Sequence, residues 1–191
     1  IAGAISFIED MREDMRIYEN MQKLLLRRGP DQRGIMISRE AALIHTRLAV
    51  IDISGGRQPM SFTDGSRCFT IVYNGELYNT DEIRKELESD FEFETRSDTE
   101  VVLKSYVKWG EGCVEKFNGI FAFAVYDESE HKVFIARDRI GVKPFFYFRN
   151  KSKFIFASEI PALLEHPDVP REIDSNSAAE LIPVSYTHLT L

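Results

Sequence analysis

The chain has 191 residues, length enough for one globular domain with a sizeable core. Its 24 basic and 31 acidic side chains leave a net charge of -7, which argues against nucleic acid or an anionic membrane as the main partner. A hydrophobic fraction of 43% and a charged fraction of 29% are ordinary for a soluble protein, no run approaches the apolar length of a membrane helix, and no signal-peptide pattern opens the sequence. Cys68 and Cys113 are too few for a disulfide framework and lack metal-ligand spacing, so a reducing, cytoplasmic setting without a metal site is expected.

Residues 1–7 read as a buried strand. Met11, Met15, Tyr18, Met21 and Leu25 then recur at helical spacing, and the breakers Gly29-Pro30 follow a basic last turn at Arg27-Arg28. Residues 31–33 are expected as loop, 34–38 and 41–50 as strands around a turn at Arg39-Glu40, and 54–64 as a long surface loop rich in Gly, Ser, Pro and Asp. Residues 68–73 form an apolar strand, and Asn74-Gly75 leaves it as a polar turn. Asn79 with Glu82 resembles a capping box opening a helix to Leu87; Ser97 with Glu100 makes a cleaner one, opening a helix to about Trp109. Beyond Gly119, strands are expected at 120–126, 132–137, 144–149 and 153–157. A short helix with Pro161 near its start should follow at 158–164. Residues 183–191 bear no pattern relation to what precedes them and are set aside as a non-native tail. Strand clusters interleaved with helix pairs predict α+β layering, with the strand order left open.

Asn-Gly has two physical meanings. It is a hairpin turn, because both residues tolerate positive φ. It is also a donor pair, an amide side chain and a backbone N–H, suited to a developing oxyanion. Its companions along the chain decide between them. They are R-G-P-D-Q-R-G at 28–34, H-T-R-L-A-V-I-D at 45–52, G-G-R-Q-P-M at 55–60, Y-N-G-E-L-Y-N at 73–79, S-D-T-E at 97–100, F-N-G-I-F-A-F-A-V-Y-D at 117–127, A-R-D-R-I-G-V-K-P at 136–144 and A-S-E-I at 157–160. This ordered set, over residues 1–182, resembles the glutaminase domain of glutamine-hydrolysing asparagine synthetases, which are class II, N-terminal-nucleophile amidotransferases.

The resemblance implies an α+β fold of the N-terminal-nucleophile hydrolase type, a four-layer αββα sandwich of two antiparallel sheets. It implies hydrolysis of glutamine to glutamate and ammonia, the ammonia passing to aspartate. A Cys thiolate would attack the carboxamide, with the α-amino group of the same residue as general base. Family chains open Met-Cys-Gly ahead of the Ile-Ala-Gly that begins here, so these 191 residues alone are expected to be inactive. Neither Cys68 nor Cys113 replaces that nucleophile by pattern; each reads as a small buried hydrophobe.

Position by position, the resemblance makes Asn74 and the Gly75 N–H the oxyanion donors. Arg47 reads the substrate carboxylate and Asp98 its ammonium, while Leu48, Val50 and Glu76 line the pocket. Each has a plainer alternative: a strand-end charge for Arg47, a helix-dipole acid for Asp98 and a solvated turn carboxylate for Glu76. His45 is expected as a satisfied strand histidine, Arg137-Asp138-Arg139 as a turn network, and Arg27-Arg28 as a helix C-terminal charge pair. No cofactor is implied for this domain. ATP, Mg²⁺ and aspartate belong to a C-terminal synthetase domain, the implied partner; homodimerisation stays open. Two rivals remain: a non-hydrolytic glutamine-binding or regulatory module, and the glutaminase domain of another class II amidotransferase.

Overall fold

The computed structural model describes residues 1–49 and 55–172. Two antiparallel sheets pack face to face between helices. The first has five strands: β1 (Ala2–Ser6), β2 (Gln32–Ile37) and β3 (Ala41–Arg47), joined late in the chain by β8 (Phe146–Arg149) and β9 (Lys153–Ala157). Their order is β2-β3-β1-β9-β8. The second has four strands: β4 (Met60–Asp64), β5 (Arg67–Leu77), β6 (Gly119–Asp127) and β7 (Lys132–Arg137), which lie in chain order.

Three apolar layers follow from period-2 alternation on the strands. Ala2, Ala4, Ala42, Ile44, Ile155 and Ala157 face outward from the first sheet against α1 (Met15–Leu25) and α4 (Ile160–Leu164). Tyr18, Met21, Gln22 and Leu25 form the buried stripe of α1 at helical spacing. The small sheet residues let the helix approach closely. Each fully buried Tyr, Met or Leu on that stripe contributes about 1.5–3 kcal/mol of apolar burial. The alternate set, Ile1, Leu43, Val72, Ala122, Ala124 and Phe156, fills the layer between the sheets. Phe69, Ile71, Tyr73, Phe121, Phe123 and Val125 face the third layer, under α2 (Thr80–Leu87) and α3 (Asp98–Trp109).

Several boundaries differ from the sequence-based expectation. Residues 11–14 form a 3₁₀ turn capped by Asp10, which accepts from the Arg12 N–H at 3.1 Å, before α1 begins. β2 starts at Gln32, inside the expected loop, because Gln32 and Arg33 pair with Arg47 and Thr46. The expected loop at 54–64 ends in β4, with Met60 opposite Ile71 and Phe62 opposite Phe69. Asn74-Gly75 is not a turn: β5 runs on through Leu77, paired to β6 with Asn74 opposite Ala122 and Gly75 opposite Phe121. Asn79 does not cap α2. Its amide donates to the Lys116 carbonyl at 2.9 Å and accepts from the Asn118 N–H at 3.0 Å, tying the start of α2 to the chain before β6. Ser97 does cap α3, accepting from the Glu100 N–H at 3.4 Å. Glu100 does not reciprocate; its carboxylate accepts from Glu94, Thr95 and the buried Lys104. No helix among the described residues is long and apolar enough to cross a membrane.

Candidate active site

At one end of the sandwich, where β3 and β5 run out between the sheets, lies a cleft of about 390 Å³. Of the residues singled out from the sequence, Arg47, Leu48, Asn74, Gly75, Glu76 and Asp98 all border it. Val50 lies outside the described residues.

The two donor candidates are presented differently. Asn74 shares the inner face of β5 with Val72, so its side chain projects between the sheets. Its Nδ2 is buried and has no hydrogen-bond partner. Buried polar groups are overwhelmingly paired, so this amide stands out as a donor that the described residues do not use. Gly75 contributes its backbone. Its cross-strand partner Phe121 uses its N–H and carbonyl on the far side, toward Asp138. Gly75 is therefore in a non-hydrogen-bonded pair, and its N–H points to the opposite edge of β5. On that edge Tyr73 N–H is taken by Gln58 Oε1 at 2.6 Å and Leu77 N–H by Asp98 Oδ2 at 3.3 Å. β4 ends opposite Ile71, so it does not cover Gly75. Space also demands glycine: a Cβ there would sit 2.6 Å from the Ile120 carbonyl oxygen and 2.8 Å from the Phe121 Cβ.

The two charged candidates come from different layers. Arg47 ends β3, is buried, and donates to Gln32 Oε1 at 3.1 Å. Asp98 opens α3, where its Oδ2 accepts from the Tyr73 hydroxyl at 2.9 Å as well as from Leu77. Burial raises the Asp98 pKa, against the pull of these hydrogen bonds. A cation arriving beside it would favour the ionised form and oppose that shift. Leu48 is 60% exposed and Glu76 is also exposed, so both stand at the rim.

Other residues in the wall were not expected there. His45 is one, rather than a mere strand histidine. Its Nε2 lies 3.1 Å from the Tyr73 carbonyl, which can only accept, so Nε2 carries the hydrogen. Burial pushes its pKa down to about 3 and keeps it neutral, with Nδ1 a buried acceptor lacking a partner. Arg28 also borders the cleft and pairs with Glu159 at 3.4 Å, instead of serving only the helix end. Lys143 enters from the 138–143 loop, which Asp138 organises by accepting from the Phe121, Val142 and Lys143 N–H groups. The expected turn network at Arg137-Asp138 is thus present. Tyr73, Ser97 and Thr99 complete the floor, and Ile1, whose nitrogen donates to Ser158 Oγ at 3.1 Å, forms part of the wall. Tyr73 adjoins the Asn74-Gly75 pair in sequence, a signal that could have flagged it; Arg28 and Lys143 lie in the motifs at 28–34 and 136–144, but no local pattern points them at the cleft.

Neither cysteine borders the cleft. Cys113 is buried after α3, and burial pushes its thiol up to about 12. Cys68, on β5, is half-buried rather than fully buried as expected.

Comparison with known proteins gives the family of the chain. A family model described as a glutamine amidotransferase domain matches residues 1–190. Asparagine synthetase [glutamine-hydrolyzing] 3 of Bacillus subtilis is 47% identical over 182 residues, covering 95% of this chain and 30% of that protein. Asparagine synthetase B of Escherichia coli is 34% identical over 165 residues, covering 86% of this chain and 29% of that protein. The chain thus spans under a third of the length of these two relatives. A solved structure of the glutamine phosphoribosylpyrophosphate amidotransferase from B. subtilis superposes with a TM-score of 0.69 at 19% identity, covering 85% of this chain and 42% of that one. It shares the α+β fold of two antiparallel sheets packed between helices. The chain belongs to the glutamine amidotransferase domain family, and the two relatives described above are asparagine synthetases.

Proposed function

We propose that the cleft binds glutamine and hydrolyses its side-chain amide, and that the chain is the glutaminase portion of an asparagine synthetase. The observation that carries this reading is the buried Asn74 amide nitrogen, without a hydrogen-bond partner among the described residues, beside the outward-facing Gly75 N–H, in a cleft that also holds Arg47 and the half-buried carboxylate of Asp98. A free amino acid offers the matching pair of charges. Arg47 takes the carboxylate through its planar fork, and Asp98 takes the ammonium. The amide then reaches toward Asn74.

The nucleophile in this proposal is a Cys thiolate ahead of Ile1, which itself borders the cleft. Thiolate sulfur attacks the amide carbon, and the carbonyl electron pair moves onto oxygen, where Asn74 Nδ2 and Gly75 N–H receive it. The amide nitrogen leaves with a proton as ammonia. Water then cleaves the thioester, releasing glutamate and the thiol. Ammonia is consumed by a synthetase domain that uses ATP, Mg²⁺ and aspartate.

The test is glutamate release from glutamine by the full-length protein carrying Met-Cys-Gly before Ile1, against the 191 residues alone. Activity is expected in the first and not in the second. Glutamine binding with no release from the first would support the non-hydrolytic rival and end this proposal.

A further inference from the structure

The G-G-R-Q-P-M segment takes no part in the hydrolytic chemistry, yet it lies against Arg47 and bonds two neighbours of Asp98. Gln58 makes two directed hydrogen bonds. Its Oε1 accepts from the Tyr73 N–H at 2.6 Å, and its Nε2 donates to Thr99 Oγ1 at 3.0 Å. The amide has one workable orientation, because turning it over would set Nε2 against the Tyr73 N–H. Tyr73 in turn holds Asp98 through its hydroxyl at 2.9 Å, and Thr99 is the residue after Asp98. Gln58 therefore bonds two neighbours of the aspartate, the Tyr73 backbone on β5 and Thr99 in the first turn of α3.

Two residues earlier, Gly56 lies against the other charge. A Cβ on Gly56 would sit 2.3 Å from an Arg47 guanidinium nitrogen and 2.8 Å from its Cζ. Gly56 is buried, so the guanidinium is seated on bare backbone. The segment is itself fixed from behind: a Cβ on Gly34 of β2 would lie 2.2 Å from the Gln58 carbonyl oxygen.

We propose that residues 56–58 are a gauge that sets the separation of Arg47 from Asp98, with Gln58 a positioning residue for recognition of the α-amino-acid zwitterion. This rests on Arg47 and Asp98 reading the two charges of glutamine. The gauge binds no substrate atom. It decides whether carboxylate and ammonium are read together, and hence how strongly glutamine is preferred over amides that carry only one of the two charges.

The experiment uses the full-length protein and measures glutamate or product-acid release with three amides: glutamine, 4-carbamoylbutanoate, which lacks the ammonium, and 4-aminobutanamide, which lacks the carboxylate. Gln58→Leu removes both hydrogen bonds at similar volume. Its KM for glutamine should rise roughly tenfold, as expected for about 1.4 kcal/mol of lost positioning. The effect should fall on KM rather than kcat, and the preference for glutamine over each analogue should drop by a similar factor. Gln58→Glu should restore the preference, since a carboxylate still accepts from the Tyr73 N–H and can accept the Thr99 hydroxyl. If Gln58→Leu does not fold, Thr99→Val, which breaks one of the two links, should give a smaller drop in the same direction. A folded variant with unchanged preference overturns the gauge. If instead Arg47→Gln and Asp98→Asn leave the glutamine KM unchanged, the charge-reading roles beneath it are overturned as well.

Discussion

Replacing Asn74 by leucine should separate activity from stability. In the resting protein the Asn74 Nδ2 is buried without a partner, a condition that costs about 1–3 kcal/mol. Leucine has similar bulk, and the neighbouring inner-face residues Val72 and Ala122 already form an apolar layer. The substitution removes the orphaned donor and adds apolar burial, so unfolding free energy should rise by about 1 kcal/mol or more. In the transition state the same donor faces the new oxyanion. Losing it should cost about 2.7–4 kcal/mol, a fall in kcat on the order of 10²–10³-fold. The assay is glutamate release by the full-length protein, paired with urea unfolding of the same preparation. A kcat within about threefold of the parent would refute the oxyanion role, because even the weakest such donor is worth about a hundredfold. A loss of stability with activity kept would show that the amide is a structural group after all.

Asp98 links activity to pH. Burial raises its pKa, and only the ionised carboxylate pairs with an ammonium, so the glutamine KM should climb as pH falls through that raised value. Because the folded state takes up this proton more readily than the unfolded chain, the same protonation favours folding on this group's account, and binding and stability should move in opposite directions on acidification. Asp98→Asn should show a high KM with that pH limb removed; a parent-like KM would contradict the ammonium-reading role. Gly56→Ala should push the Arg47 guanidinium aside and raise KM, while thermal unfolding moves little, since the clash is with the end of a flexible side chain. A KM unaffected in this variant would mean that the guanidinium seat is irrelevant. Lys104 lies buried against Glu100 and over the rings of Phe62 and Phe93, at 4.9 and 4.6 Å. Lys104→Met should destabilise the protein by about 3–5 kcal/mol by leaving Glu100 buried and unpaired, read as a lower urea midpoint. A change under about 1 kcal/mol would show that the Thr95 and Glu94 donors satisfy that carboxylate alone.

Local pattern sufficed for most elements and for the residue types of the cleft. The apolar spacing of Met21 and Leu25, the Ser97 cap and the strands of the second half depend on neighbours a few residues away, so they can be read along the chain. The ordered motifs likewise mark Arg47, Asn74, Gly75 and Asp98 without any geometry. Local pattern failed where a distant segment competes. Asn74-Gly75 has turn chemistry, but pairing with β6 continues to Leu77 opposite Gly119 and keeps it extended. Asn79 carries a capping signature, but Lys116 and Asn118 claim its side chain. The alternation of Met60 and Phe62 was present inside a polar stretch, and only their facing partners Ile71 and Phe69 made it a strand.

The amino-acid sequence by itself determined which groups this protein brings to the cleft: the guanidinium of Arg47, the carboxylate of Asp98, the amide of Asn74 and the bare backbone of Gly75. Tertiary structure alone decided their condition. It buried the Asn74 amide nitrogen without a hydrogen-bond partner among the described residues, raised the Asp98 pKa, kept His45 neutral, and set Gly56 and Gln58 against Arg47 and Tyr73. Desolvation and close approach arise only when two sheets and a helix terminus meet, and no local run of residues encodes that meeting.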